Sequence, residues 1–246
     1  MRIHDGANAW IYPTLVTASL LLLFLVPSSR AIVGRRDRLT YWALQVVTLL
    51  GAIVGAKLAM LAGDLGWPVV PLGGWHTLLW SGRSITGGLI GGFLAAEATK
   101  PLVGWTLPPN NHFAAKLPFS IALGRLGCLL GGCCRGLPHE GALSVVYDDG
   151  IPRWPAPVFE MVFQLAVGLL FVRLVRRDAL VGRLFALYLM LYGAFRFATE
   201  PLRETPKSLG GALSVYQALS IVMIALGALS FFARGSRARG AQEVTS

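Results

Sequence analysis

Acidic residues are scarce in this chain: 12 Asp and Glu stand against 22 Lys and Arg among 246 residues, and charged side chains make up only 14%. A soluble domain ordinarily carries about 25% charge to coat its surface, so a water-facing exterior is excluded for most of the chain. Cysteine is equally sparse. All three, Cys128, Cys133 and Cys134, fall within one short window, which excludes a disulfide framework spread over the fold. A basic segment ahead of the first apolar stretch is missing from MRIHDGANAW, and Arg30 interrupts the small residues that follow. That stretch therefore reads as a retained helix rather than a cleaved signal. No internal repeat or low-complexity tract stands out, which counts against a transporter built from inverted halves.

What the chain has in abundance is apolar: 54% hydrophobic residues and a mean hydropathy of +0.61. These residues collect into seven stretches, 10–26, 41–62, 84–98, 113–130, 157–172, 180–197 and 214–232. Most are about 17 to 22 residues long, enough for a helix to cross hydrocarbon. The expected fold class is an all-α integral membrane protein of about seven transmembrane helices, forming one polytopic domain over residues 1–246. The polar tail from about residue 234 reads as disordered.

The net charge of +10 does not indicate nucleic acid, because the basic residues punctuate the apolar stretches instead of lining one polar face. Arg30, Arg35, Arg36 and Arg38, then Arg173, Arg176, Arg177 and Arg183, then Arg234, Arg237 and Arg239 fall on one side if the spans alternate. The positive-inside rule makes that side cytoplasmic, with the N-terminus outside and the C-terminus inside. Loops 63–83, 131–156 and 198–213 then face outward, and a functional site is to be sought beside them.

A charge at bilayer depth costs about 2.5–3.5 kcal/mol on the insertion scale, so each one retained asks for a partner. Arg196 and Glu200 are four residues apart, on one helical face. They read equally well as an ion pair closing the span or as a phosphate-binding Arg with an acidic partner. Arg125 sits among Gly124, Gly127, Gly131 and Gly132; it reads as snorkelling to the interface or as a phosphate ligand. Gly87, Gly88, Gly91 and Gly92 read first as a helix-packing surface and second as a phosphate cradle. For Glu160, near the start of a helix, the macrodipole is a sufficient reason. Cys133, Cys134 and His139 match zinc spacing poorly, so no metal is expected. A disulfide suits the outward loop better, with a reactive thiol near Arg125 and Arg135 as the alternative. Lys57 and Glu97 read as interfacial or paired.

Four blocks, SITGGLIGG, GRLGCLLGG with the following CCRG, RWPAPVFE and GRLFALYLMLYGAFRFATEPLRE, together resemble the prolipoprotein diacylglyceryl transferases. These are bacterial inner-membrane enzymes that move diacylglyceryl from phosphatidylglycerol onto a lipoprotein cysteine. The likeness runs from about residue 84 to 227. It implies that Arg125 and Arg196 are the essential arginines near the lipid phosphate, with Glu200 as acidic partner. It also places Tyr192, Gly124 and Glu160 on family positions. Three departures are visible: Thr86 stands where the family carries His before the first Gly-Gly, Cys128 stands where it carries Asn, and GGCCRG downstream replaces the family's NGE stretch. A neutral Thr cannot act as a base at physiological pH.

The resemblance implies a multi-pass protein of the bacterial inner membrane, needing no cofactor. Its partners would be an anionic phospholipid such as phosphatidylglycerol and a prolipoprotein precursor. Catalytic candidates are Arg125, Arg196, Glu200, Glu160 and His139; substrate-binding candidates are Gly87, Gly88, Gly124, Thr86, Cys128 and Tyr192. The proton would pass to Glu200, Glu160 or His139, in that order. Two alternatives stay open: a lipid-modifying enzyme with another acceptor that uses its own cysteines, and a non-catalytic lipid-binding or transport protein.

Overall fold

The computed structural model describes residues 10–25, 35–65, 84–104, 111–206, 209 and 211–243. Loop 63–83 and the segment 101–109 therefore lie mostly outside the described residues, as do Arg30 and the N-terminal ten residues apart from Trp10. Seven α-helices are described: α1 (Ile11–Leu25), α2 (Arg35–Met60), α3 (Ile85–Leu102), α4 (Asn111–Leu130), α5 (Ala156–Arg176), α6 (Leu184–Thr199) and α7 (Val215–Glu243). A π-helical turn, Leu61–Leu65, ends α2, and a 3-10 turn, Glu200–Leu202, follows α6. The backbone after Arg234 continues α7 as far as Glu243.

Among the described residues, four segments, Arg38–Gly63, Asn111–Leu130, Ala156–Arg176 and Val215–Arg234, are long and apolar enough to cross a membrane. Polarity is arranged accordingly. Val46, Leu50, Ile53 and Val54 of α2, Val162 and Leu169 of α5, and Leu229 and Phe232 of α7 are exposed, while Arg125, Glu160, Gln164, Arg196 and Glu200 are buried. Apolar exterior and charged interior together suit lipid as the surrounding solvent.

α2 packs along α3, α4 lies between α1 and α5, and α6 packs on α7. The α2–α3 contact is backbone against backbone: a Cβ on Gly87 would stand 2.3 Å from the Gly55 carbonyl oxygen, and one on Gly91 2.3 Å from that of Gly51. Any side chain there would push the helices apart. α3 opens on Ser84, whose hydroxyl accepts the Gly87 amide at 3.2 Å and satisfies one orphan N–H. It runs a turn past the expected end at residue 98, because Glu97 is paired with Lys100 and with Arg234, the latter at 2.7 Å.

Outside the helices, β1 (Val145–Val146) and β2 (Pro152–Arg153) form a minimal antiparallel hairpin, the exception to the all-α expectation. Bridges from Pro138 to Arg153 and from Gly136 to Arg203 tie the 131–156 segment over the end of α6. Gly136 is required for that approach, since a Cβ would lie 2.4 Å from the Trp154 carbonyl oxygen. The core beneath joins Phe171 of α5, Leu184, Tyr188, Leu189 and Tyr192 of α6, and Met223 of α7, all at 0% exposure. This wall holds the polar residues described next.

Candidate functional site

On α6, Tyr188, Tyr192 and Arg196 recur every four residues, and Glu200 continues the series into the 3-10 turn. They form one stripe on the face turned to the core. On α5, Glu160 and Gln164 do the same. The stripes meet: Tyr188 donates to Gln164 Oε1 at 2.9 Å, Tyr192 donates to Glu160 Oε1, and the two tyrosine rings stack with centroids 5.7 Å apart.

Glu160 is the hub. Its side chain is fully buried, and three guanidiniums from three parts of the chain converge on it. Arg125 Nε lies 2.9 Å from Oε1, off the line a hydrogen bond needs; Arg203 Nη2 donates to Oε2 at 2.8 Å; Arg196 Nη1 stands 3.6 Å from Oε2. The macrodipole explanation is thus insufficient, because Glu160 acts as the counter-ion that lets α4, α5 and α6 bring their charges together. Arg196 Nη2 also donates to Glu200 Oε2 at 2.6 Å, closing the four-residue pair. The other Glu200 oxygen accepts from Thr205 at 2.9 Å and Ser214 at 3.4 Å.

Three guanidiniums face two carboxylates in this cluster, with the Cys134 thiol against Arg125 at its edge. Among the described residues, three of its buried donors, Arg125 Nε and Arg196 Nε and Nη1, make no hydrogen bond, though Arg125 Nε and Arg196 Nη1 face Glu160 oxygens at 2.9 and 3.6 Å. Buried donors left without acceptors are costly and favour an anion. Burial first, then the neighbouring Arg196 and Arg125, lower the Arg203 guanidinium from its ordinary value, so it too would gain from a negative ligand. A cavity of about 450 Å³ opens beside the cluster, with Glu200, Arg203, Thr205, Ser214 and Gln217 in its wall.

The cysteines border the same cluster. α4 ends in a Schellman turn: the Cys133 amide donates to the Cys128 carbonyl at 3.0 Å, the Gly132 amide to the Leu129 carbonyl at 3.3 Å, and Gly132 takes φ +65°. This closure sets Cys128 and Cys133 side by side. Cys134 follows at φ +59°, a left-handed conformation costing a residue with a Cβ about 1–3 kcal/mol, and its thiol turns back to Arg125. Arg125 Nη1 is 3.4 Å from Cys134 Sγ and 3.8 Å from Cys128 Sγ. All three cysteines are free, which corrects the expected disulfide; the turn gathers three thiols beside a guanidinium instead of joining two. Hydrogen bonds from the Cys128 and Cys133 thiols, aided by Arg125 and Arg203, hold the Cys134 thiol well below the usual range. Hydrogen bonding to Cys128 and Cys134 pushes Cys133 up.

Arg125, Glu160, Tyr192, Arg196 and Glu200 are therefore brought together, with Cys128 at their edge. The other candidates are placed apart. Gly87 and Gly88 face α2, where the nearest atom to a Cβ on Gly88 is the Ala52 carbonyl oxygen at 3.4 Å. Thr86 is buried in the first turn of α3, without a hydrogen bond to the cluster. Gly124 faces α1, where a Cβ would meet Ser19 Oγ at 4.0 Å. His139 stacks flat on Trp154 at 3.5 Å between ring centroids. Sequence reasoning missed Arg203, Gln164 and Tyr188. The available signals were the four-residue stripe of α6 and the three-residue step from Glu200 to Arg203.

The pattern of one family, described as prolipoprotein diacylglyceryl transferase, matches residues 8–233. Among curated proteins, the chain is 30% identical over 191 residues to the phosphatidylglycerol–prolipoprotein diacylglyceryl transferase of Geobacter sulfurreducens, covering 72% of each chain. It is 29% identical over 248 residues to that of Bordetella bronchiseptica, covering 93% of this chain and 91% of the relative. To the second such transferase of Clostridium perfringens it is 26% identical over 197 residues, covering 76% and 75%.

Proposed function

Since the chain belongs to the prolipoprotein diacylglyceryl transferase family, we propose that it transfers the diacylglyceryl group of phosphatidylglycerol to the cysteine thiol of a prolipoprotein. The observation that carries the reading is the convergence of three buried guanidiniums beside a cavity, with Arg196 Nε and Nη1 making no hydrogen bond among the described residues. The oxygens of a phosphodiester supply acceptors for such donors.

In this reading Arg196, through those donors, and Arg125 bind the phosphate oxygens. Glu160 and Tyr192 keep both guanidiniums in place. The acceptor thiol, entering from the cavity side, gives its proton to Glu200, whose carboxylate lines that cavity. The sulfur attacks the glyceryl carbon, a C–S bond forms as the C–O bond breaks, and glycerol phosphate leaves with the bond electrons. Its phosphate thereby gains charge, and fixed guanidiniums stabilise that charge most in a site shielded from water. Glu200 returns its proton to solvent or product. Thr86 takes no part in proton transfer, and neither does His139, which is held against Trp154. Gly87 and Gly88 act by keeping α3 against α2. Seven spans, an outside N-terminus and a cytoplasmic C-terminus would put the cluster at the outer leaflet of the bacterial inner membrane.

The test is the purified protein in phosphatidylglycerol-containing micelles with a cysteine-bearing lipobox peptide. Release of glycerol phosphate and a diacylglyceryl mass gain on the peptide are expected. Intact, folded protein that gives neither product overturns the reading.

A further inference from the structure

The three thiols at the end of α4 have no task in the transfer just described, and their arrangement is more specific than proximity in sequence requires. Their sulfur atoms all lie within 4.8 Å of one another. The Schellman turn supplies the Cys128–Cys133 neighbourhood, and the left-handed Cys134 folds the third sulfur onto the other two. Burial is graded from Cys128, buried, through Cys133, half-buried, to Cys134, exposed, which leaves a path from solvent to the centre of the triad. From this geometry we infer that Cys128, Cys133 and Cys134 form a three-sulfur binding site for a thiophilic metal ion of the zinc and cadmium class.

Metal–sulfur bonds of about 2.3 Å put the sulfurs of a three-thiolate site about 4 Å apart, so closure onto an ion needs shifts of less than about an ångström. Sulfur-only donors exclude magnesium and calcium, which require oxygen ligands, and select soft d10 ions. Three thiolates around a divalent ion carry one net negative charge. Arg125 Nη1, already 3.4 Å from Cys134 Sγ and 3.8 Å from Cys128 Sγ, donates to that anion and stabilises it. Each thiol still protonated releases its proton to water on coordination. The pairing of Cys133 and Cys134 with His139, weighed from sequence, is replaced by one with Cys128, because His139 is turned to Trp154.

The site is tested with the full-length chain, reduced and in detergent, titrated with cadmium chloride against a competing chelator. One cadmium per chain is expected, with the ultraviolet absorption of cadmium thiolate bonds and protection of Cys133 and Cys134 from maleimide. Cys134→Ser and Cys133→Ser, whose side chains reach solvent, should each weaken binding at least tenfold while melting temperature and elution volume stay those of the parent. His139→Ala should leave the affinity unchanged. Cadmium affinity and absorption equal in the parent and the two serine variants would overturn the site, and so would loss of binding in His139→Ala. Cys128→Ser, at the buried position, is read only if it melts like the parent, and unaltered binding there also overturns the assignment.

Discussion

Arg196→Lys separates what the Arg196 charge does from what its fork does. In the structure Nη2 is committed to Glu200 at 2.6 Å, whereas Nε and Nη1 make no hydrogen bond among the described residues. A lysine ammonium can keep the pair with Glu200 and the local charge balance, but it cannot offer the two remaining donors to a phosphate in a fixed plane. A hydrogen bond involving a charged group contributes about 1.5–3 kcal/mol, so two lost from the bound phosphodiester amount to about 3–6 kcal/mol. At about 1.4 kcal/mol per tenfold, kcat/KM for phosphatidylglycerol should fall by about 10²- to 10⁴-fold. The readout is glycerol phosphate release at subsaturating lipid, alongside a melting curve in detergent. The variant should melt close to the parent, because Glu160 retains Arg125 and Arg203. A kcat/KM within threefold of the parent, with the fold intact, would refute the claim that these donors bind the lipid phosphate.

Glu160→Gln keeps the shape of the hub and removes its charge, leaving three guanidiniums around an amide; it should destabilise the protein by about 3–5 kcal/mol, measured by denaturant or thermal unfolding. Gly87→Ala should destabilise by about 1–3 kcal/mol by forcing α2 and α3 apart. Gly88→Ala, whose Cβ would meet nothing nearer than 3.4 Å, should melt within about 0.5 kcal/mol of the parent. The reverse order would show that these glycines do not act through helix packing. Asp149 is held below the ordinary carboxylate range first by the Ile151 amide and then by Arg153 and Arg135. A depressed folded value means its contribution is present above the unfolded value and is lost as pH falls through the folded one. The 145–153 hairpin should therefore become more open to limited proteolysis by an acid-active protease below about pH 4, and Asp149→Asn should already show that opening at neutral pH.

Much of the helical framework is legible in sequence because its cause is local. Apolar runs bounded by arginines mark helices, and the starts and ends of α4 and α5 and the start of α7 fall within a few residues of the expected stretches, whereas α7 runs on eleven residues past its expected end at 232. Arg196 and Glu200 pair as their spacing requires, since four residues on a helix fix the distance between side chains. The Schellman turn was also written locally: Cys128, Gly132 and Cys133 occupy the positions that such a turn brings together.

Long-range contacts were not legible. Nothing periodic tells Glu160 that Arg125, 35 residues earlier, and Arg203, 43 residues later, will meet on its two oxygens. That outcome depends on how α4 and α6 pack against α5 and how the 136–154 segment folds back over the exit of α6. The sequence by itself determined an apolar helical chain, the stripe ending in Arg196 and Glu200, and the family to which its motifs point. Only the tertiary structure decided that Glu160 is a hub rather than a helix-end charge, that Gly87 meets backbone rather than a ligand, and that three cysteines converge beside Arg125. The physical reason is one of range: backbone periodicity fixes neighbours within a turn or two, whereas compensation of buried charge requires partners that packing alone can deliver.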